Sequence, residues 1–350
     1  MCQLKELCFE ITNCCYQNCI YCSSFDDRTR KPSPVHIPFD TISRVIDQFC
    51  DLGGKTLELS GGEPLAHPQI VNIVDYALSR ELDVIIYTSG ILPEQYNIQN
   101  ILKELKTIGL NKIVFNCQGL GKTHDILVQK KRSFVELTNV IKISKDLDYW
   151  VGAHFVPTKI NFIQIRQVFY YLHELNVDQL AILRLVKQGR ARTNWSKLEL
   201  NRDEYLDFFD RLNRIIQENI TLPNIRLGCP FNCVKILYNW DLCCECHAGK
   251  SSLDIMANGD VVPCPAFKDI PSSKIGNIFN SSLESIWNQS DFLKLLRTTK
   301  VSEISSCRDC KFADMCKGCC SAQRLLSNNS LTIGPDPICE LINLKEVINA

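Results

Sequence analysis

The sequence has no charge of one sign to spare: 39 Lys and Arg are matched by 39 Asp and Glu, for a formal net charge of zero. That balance removes the long-range pull toward polyanions used by nucleic-acid and membrane-surface binders. No stripe interleaves aromatic with basic residues, as single-strand binders do. No apolar run reaches the roughly 18 residues of a membrane-spanning helix. The start, Met1-Cys2-Gln3-Leu4-Lys5-Glu6, lacks the basic-then-apolar pattern of a secretory signal. A cytoplasmic protein with neither nucleic acid nor membrane as partner is expected. There is no low-complexity tract, and a content of 45% apolar and 22% charged residues excludes a disordered chain.

What the sequence does have is cysteine, 20 in 350 residues. In a short secreted chain this would mean a disulfide scaffold. In a long chain with no export signal it points to metal ligation or catalysis.

The first 220 or so residues repeat one theme, a short apolar strand followed by an amphipathic helix. Strands are expected over 7–12, 56–60, 84–88, 112–117, 150–156 and 179–186. Helices are expected over 39–50, 70–80, 98–107, 133–145, 162–175 and 204–218, with Asp40 and Asn161 placed to cap two of them. Six such units suit a parallel α/β sheet, either barrel-like or open and doubly wound, with ligands at the carboxyl edge. From about Thr221 the rhythm is expected to stop, leaving a short helix near 283–296 among recurrent cysteines. The chain therefore divides into 1–225 and a smaller metal-stapled domain, 226–350. Basic stretches at 28–31, 130–132 and 187–192 read as solvated loop surface.

Cys15-x3-Cys19-x2-Cys22 directly follows the first strand. Three thiolates on one tight loop can hold three irons of a cubane cluster and leave the fourth open to a small molecule. A structural zinc site wants four ligands, usually as two separated pairs. After the second strand comes Ser60-Gly61-Gly62-Glu63-Pro64. Its glycines let the backbone approach a ligand closely, and Glu63 can accept a charge-assisted bond from an ammonium group.

The cysteine run, with aromatic Tyr21 before its last cysteine, together with Ser60–Pro64, resembles the signature of radical S-adenosylmethionine (SAM) enzymes. That resemblance implies a partial (β/α)6 TIM-like barrel, a [4Fe-4S] cluster on Cys15, Cys19 and Cys22, and SAM chelating its open iron through amine and carboxylate. It further implies reductive cleavage of SAM to a 5′-deoxyadenosyl radical that abstracts hydrogen from a substrate. Tyr21, Ser60, Gly61, Gly62, Glu63, Pro64 and Thr88 of Tyr87-Thr88-Ser89-Gly90 become candidate SAM contacts. Asn116-Cys117-Gln118-Gly119 resembles a Ser-x-Asp-Gly segment of the family and makes Asn116 a candidate ribose contact. Leu185 and Val186 are placed to pack on adenine, with core burial as the alternative. His124 and Asp125 match a family His-Asp pair whose role is open between structure, substrate gating and chemistry.

The later cysteines have their own order. Cys246-x12-Gly259-x4-Cys264 encloses a hairpin whose tight turn is expected at Asn258-Gly259. Then come Cys307-x2-Cys310-x5-Cys316-x3-Cys320 and Cys339. This array is similar to the SPASM extension of radical SAM enzymes, a cysteine-rich domain holding auxiliary clusters. The resemblance implies two auxiliary [4Fe-4S] clusters, one on Cys246, Cys264 and Cys320 and the other on Cys307, Cys310, Cys316 and Cys339. Cys243 or Cys244 would complete the first, with Cys229 and Cys233 also open, unless that iron is left for substrate. A zinc ribbon on Cys307, Cys310, Cys316 and Cys320 is the alternative. Cys2, Cys8, Cys14, Cys50 and Cys319 are assigned to packing.

The resemblance points to oxidative modification of a ribosomally made peptide or protein, by crosslink or thioether. Pro265 stands where sulfatase-maturing relatives tend to have a catalytic Asp, which argues against that branch. With the first strand near residue 7, no N-terminal leader-binding domain is expected, so a separate carrier or the C-terminal domain would recognise a peptide. A flavodoxin- or ferredoxin-type reductant is implied. A small-molecule substrate of tetrapyrrole or sugar type is the runner-up. A metal-stabilised electron carrier or binding module is the reading from another class, disfavoured because a carrier needs no SAM pocket.

Overall fold

The computed structural model describes residues 2–24, 34–228, 230–240, 242 and 245–341. Seven parallel strands follow in sequence order: β1 (Glu6–Glu10), β2 (Thr56–Ser60), β3 (Asp83–Thr88), β4 (Lys112–Asn116), β5 (Trp150–Phe155), β6 (Gln179–Ile182) and β7 (Asn224–Leu227). The helices between them include α1 (Phe39–Asp51), α2 (Ile70–Ser79), α3 (Ile98–Thr107), α4 (Lys122–Val128), α5 (Ser133–Asp146) and α6 (Ile165–Glu174). Two short helices, α7 (Gly189–Thr193) and α8 (Trp195–Leu198), precede α9 (Arg202–Gln217).

The rhythm runs one strand further than the sequence suggests: β7 pairs in parallel with β6, and α10 (Asn232–Tyr238) follows it. The hairpin of β8 (Ser252–Ile255) and β9 (Asp260–Val262) joins the same sheet, with β8 parallel to β1. β10 (Gly276–Asn277) closes the order β10-β9-β8-β1-β2-β3-β4-β5-β6-β7. Among the described residues each end strand pairs on one side only, so the barrel is open.

The strands alternate. Leu7, Phe9, Leu57, Leu59, Ile113 and Phe155 are fully buried in the core shared with the helices. Each large side chain so buried stabilises the fold by about 1.5–3 kcal/mol. Glu58, Tyr87, Asn116 and His154 take the intervening positions and are only partly buried. Successive strand residues face opposite sides, so the concave face of the open barrel is polar.

Several local readings are corrected. Helix α1 starts after Pro38, and Asp40 lies in its first turn without a capping hydrogen bond. Asn161 does not cap its helix either: its Oδ1 accepts from Thr158, while its Nδ2 donates to the carbonyls of Gln118 and Val156. The helix expected over 283–296 is two, α11 (Leu283–Gln289) and α12 (Asp291–Thr298), because Ser290 leaves helical geometry and caps the second. The hairpin loop has three residues: Met256 N–H donates to Asp260, Gly259 N–H donates to Met256, and Gly259 takes a φ of +84°. That is a type I turn followed by a left-handed glycine rather than a two-residue turn. Three further short helices are α13 (Ala313–Cys316), α14 (Ser321–Asn328) and α15 (Pro337–Leu341). No helix among the described residues is long and apolar enough to cross a membrane.

Candidate active site

The loop after β1 carries Cys15, Cys19 and Cys22, all half-buried. α4 anchors it, its Val128 and Leu127 carbonyls accepting from Asn18 N–H (3.1 Å) and Ile20 N–H (2.9 Å). From the other side α7 grips it: Arg190 Nε donates to the Cys19 carbonyl at 2.8 Å and Ala191 N–H to that of Cys22 at 3.3 Å. Burial pushes the Cys19 thiol well above its usual range, and the nearby Cys22 and Cys15 push it further. A buried sulfur whose ionisation is opposed by two neighbouring sulfurs needs a cationic centre beside it to exist as a thiolate. The donor set therefore fits an iron–sulfur cluster.

Ser60-Gly61-Gly62-Glu63-Pro64 lies beside this loop. A Cβ on Gly61 would stand 2.3 Å from the Thr12 carbonyl oxygen, and one on Gly62 only 2.1 Å from that of Cys14. The close approach expected toward a ligand is thus made to the backbone of the cysteine loop. Gly62 N–H donates to Thr12 at 2.8 Å, and Glu63 N–H donates to Cys14. The Glu63 carboxylate is fully buried and accepts from Leu65 N–H, the Thr88 hydroxyl, Ser89 N–H and the Ser89 hydroxyl. Those four donors occupy both oxygens, so Glu63 ties the β2 loop to the β3 loop. Burial raises its pKa, and the hydroxyl and amide donors oppose that rise.

At the carboxyl end of β4, Asn116 Nδ2 donates to the Tyr21 hydroxyl, bringing both candidates to one place. Tyr21 is also hydrogen-bonded to Cys19. Leu185 is buried in a small apolar cluster with Leu127, Val156, Ala191 and Leu198, against which Ile20 and Tyr21 pack. Because β6 ends at Ile182, Leu185 and Val186 lie in the loop beyond the strand rather than at its end. His124 and Asp125 part company. Asp125 accepts from Arg132 N–H at 2.7 Å and Phe134 N–H at 2.9 Å, capping the start of α5. His124 is buried, accepts from Gln118 N–H and contacts Ser133.

Cys307, Cys310, Cys316 and Cys339 line a single cavity of about 240 Å³. Burial pushes Cys339 up to about 12, and Cys316, Cys307 and Cys310 add to the rise. The four cysteines are thus gathered around one cavity. Gly249 N–H donates to the Pro263 carbonyl, joining the arms that carry Cys246 and Cys264. Cys246 also lines a larger cavity of about 810 Å³. Cys243, Cys244 and Cys229 lie outside the described residues. Cys319, read as packing, has its sulfur 3.5 Å from Cys316 and accepts from Cys233 N–H.

Sequence reasoning missed two buried charge groups. Arg184 makes a bidentate pair with Asp336 at 2.7 Å, and Asp336 also accepts from the N–H groups of Cys320 and Ile338. The pair fastens the β6 loop to the C-terminal cysteines. Lys268 lies against Glu10 and 3.5 Å from Asp254, and the Ser24 hydroxyl donates to Glu10 at 2.8 Å. This group joins β1, the cysteine loop and the chain after Cys264. A lone Arg, Lys or Asp in a loop sequence carries no periodic signal, so neither group was legible there.

The Radical SAM superfamily pattern matches residues 9–169, and that of SPASM, an iron–sulfur cluster-binding domain, matches residues 244–311. The chain is 25% identical over 336 residues to PqqA peptide cyclase of Gluconobacter oxydans, covering 95% of this chain and 89% of that protein. It is 22% identical over 334 residues to AdoMet-dependent heme synthase of Methanosarcina barkeri, covering 90% of each. Streptococcus suis SuiB bound to precursor peptide SuiA shares the fold, with a TM-score of 0.76 at 20% identity over 97% of this chain and 77% of that one. The open parallel barrel, the three-cysteine loop after its first strand and the cysteine-lined cavity agree with these matches: the chain belongs to the radical SAM superfamily and is an enzyme carrying a SPASM iron–sulfur domain.

Proposed function

We propose that this enzyme modifies a ribosomally made peptide or protein oxidatively, forming a crosslink or thioether. The observation that carries the reading is the pairing of a three-thiol loop beside Glu63 and Asn116 with a four-cysteine C-terminal cavity. PqqA peptide cyclase and peptide-bound SuiB, both similar in sequence or fold over nearly all of this chain, support the peptide as substrate class.

In this reading Cys15, Cys19 and Cys22 hold a [4Fe-4S] cluster with one iron open to SAM. Tyr21, Ser60, Gly61, Gly62, Glu63, Pro64, Thr88, Asn116, Leu185 and Val186 surround the SAM. Cys246, Cys264 and Cys320, with Cys243 or Cys244, hold one auxiliary cluster, and Cys307, Cys310, Cys316 and Cys339 hold another. When bound, the first cluster supplies the electron that splits the sulfonium C–S bond of SAM, giving the radical that takes hydrogen from the substrate. The protein's share is position and exclusion of water. Gly61 and Gly62 set the cysteine loop against β2, Glu63 locks the β2 and β3 loops, and Arg190 holds the loop from the far side. The Arg184–Asp336 pair keeps the auxiliary region seated on the barrel. Division at 225/226 separates SAM binding from auxiliary-cluster binding while one sheet runs through both. A separate carrier protein, a flavodoxin- or ferredoxin-type reductant and a cytoplasmic setting complete the proposal.

The test is anaerobic incubation with SAM and reductant beside the short peptides encoded next to the gene. A mass change on such a peptide, with formation of 5′-deoxyadenosine, is expected. Heme synthase similarity favours a second reading, in which a tetrapyrrole-type metabolite turns over and no peptide changes mass.

A further inference from the structure

We infer that Gln118 is the positioning residue that decides which end of the Asn116 amide the SAM site presents. This rests on the reading of Asn116 as a SAM contact.

Val156 N–H points at Gln118 Oε1 at 2.9 Å, so that atom must be the amide oxygen. The other end is then the NH2 group, which donates to Asn116 Oδ1 at 2.6 Å and to the His154 carbonyl at 3.1 Å. With its oxygen engaged, Asn116 has its own NH2 left over, and this group donates to the Tyr21 hydroxyl. The order of donors therefore runs one way, from the backbone of the chain after β5 to the cysteine loop. Asn116 presents a donor and withholds its acceptor.

Gln118 is itself immobilised. It is fully buried, its carbonyl accepts from Asn161 Nδ2 at 3.1 Å, and its N–H donates to His124 Nδ1 at 3.2 Å. That last bond requires His124 Nδ1 to be unprotonated. Behind His124, Ser133 is reached at 3.3 Å, and Gln17 Nε2 donates to Ser133 at 2.8 Å. Gln17 Oε1 in turn lies 3.5 Å from the Cys19 sulfur. Two hydrogen-bonded routes thus run from Gln118 to Cys19, one through Asn116 and Tyr21 and one through His124, Ser133 and Gln17. Buried amides fixed at every end hold a single orientation, because turning one over leaves donors facing donors.

The experiment measures SAM binding by calorimetry, and the change in the cluster's electron paramagnetic resonance spectrum on adding SAM, with anaerobically reconstituted protein. Gln118→Met removes the donor to Asn116 and is expected to weaken SAM binding about tenfold, the equivalent of one hydrogen bond lost or misdirected. In an Asn116→Ala background the same change is expected to add nothing, since the Gln118 side chain reaches the cysteine loop only through Asn116, and the route through His124 starts from the Gln118 backbone, which the substitution keeps. Gln118→Glu keeps the acceptor for Val156 and supplies a donor only while its carboxyl is protonated. Its SAM affinity is therefore expected to approach wild type at low pH and fall as that carboxyl ionises, relative to wild type at each pH. This profile tests the inference even if Gln118→Met fails to fold. If Asn116→Ala binds SAM like wild type, the reading of Asn116 fails and the inference with it. If Asn116→Ala is weakened while Gln118→Glu tracks wild type at every pH, the positioning role alone is overturned.

Discussion

Gly62→Ala tests how tightly the second loop governs the cysteine loop. The new Cβ would stand 2.1 Å from the Cys14 carbonyl oxygen, against 3.4 Å where ordinary contact begins. Relief requires a displacement of about 1.3 Å between the two backbones, and the Cys14 carbonyl belongs to the peptide joining it to Cys15. The same movement strains the bonds from Gly62 N–H and Glu63 N–H to this loop. Overpacking of this kind costs about 1–3 kcal/mol. A misplacement of about 1 Å at a reacting centre can lower turnover about a hundredfold. The expected result is a folded protein that has lost the iron of the first of the three proposed clusters, about a third of the total. Formation of 5′-deoxyadenosine should be reduced at least about a hundredfold. Gly109→Ala is the control, because its φ is +105° but the added Cβ meets only Leu78, at 3.8 Å. It should lower the melting temperature and leave iron and turnover per folded molecule unchanged. Wild-type iron content and SAM cleavage in Gly62→Ala would refute the reasoning.

Three further outcomes are expected. Replacing Asp336 by Ala leaves Arg184 buried without its partner and should destabilise the protein by about 3–5 kcal/mol in chemical denaturation; the double replacement Arg184→Met/Asp336→Leu should be milder. Cys339→Ser should remove about a third of the iron and leave SAM binding at the first cluster intact, as read by iron analysis and spectroscopy. Burial lowers the His124 pKa to about 4 from 6.5, so the native state binds fewer protons than the unfolded chain between those values. Its contribution is fully present above pH 6.5 and is lost as pH falls toward 4, about 3 kcal/mol at most. Denaturation of wild type and His124→Gln across this range should show the smaller pH dependence in the variant.

Much of the fold was legible because β1 to β6 and their helices carry strong periods. Residues 6–10 read Glu-Leu-Cys-Phe-Glu, an alternation that marks one buried and one polar face. β7 escaped because Asn224–Leu227 is four residues long with only Leu227 buried, and has no apolar run to announce it. The hairpin was visible from Gly259, but its pairing with β1 is a contact across more than two hundred residues that no local pattern encodes. At the site, spacing named the cysteines and the Gly-Gly-Glu segment. It did not show that Glu63 faces Thr88 and Ser89, or that Asn161 serves a loop instead of a helix. Asx and Glx side chains choose among nearby partners only once the chain is folded.

The most direct measurement is reductive SAM cleavage by the Cys15→Ala/Cys19→Ala/Cys22→Ala protein, reconstituted anaerobically and assayed for 5′-deoxyadenosine beside wild type. The account predicts that the variant retains about two-thirds of the iron, held by the C-terminal cysteines, and forms no 5′-deoxyadenosine. Cleavage at the wild-type rate without those three thiols would contradict it.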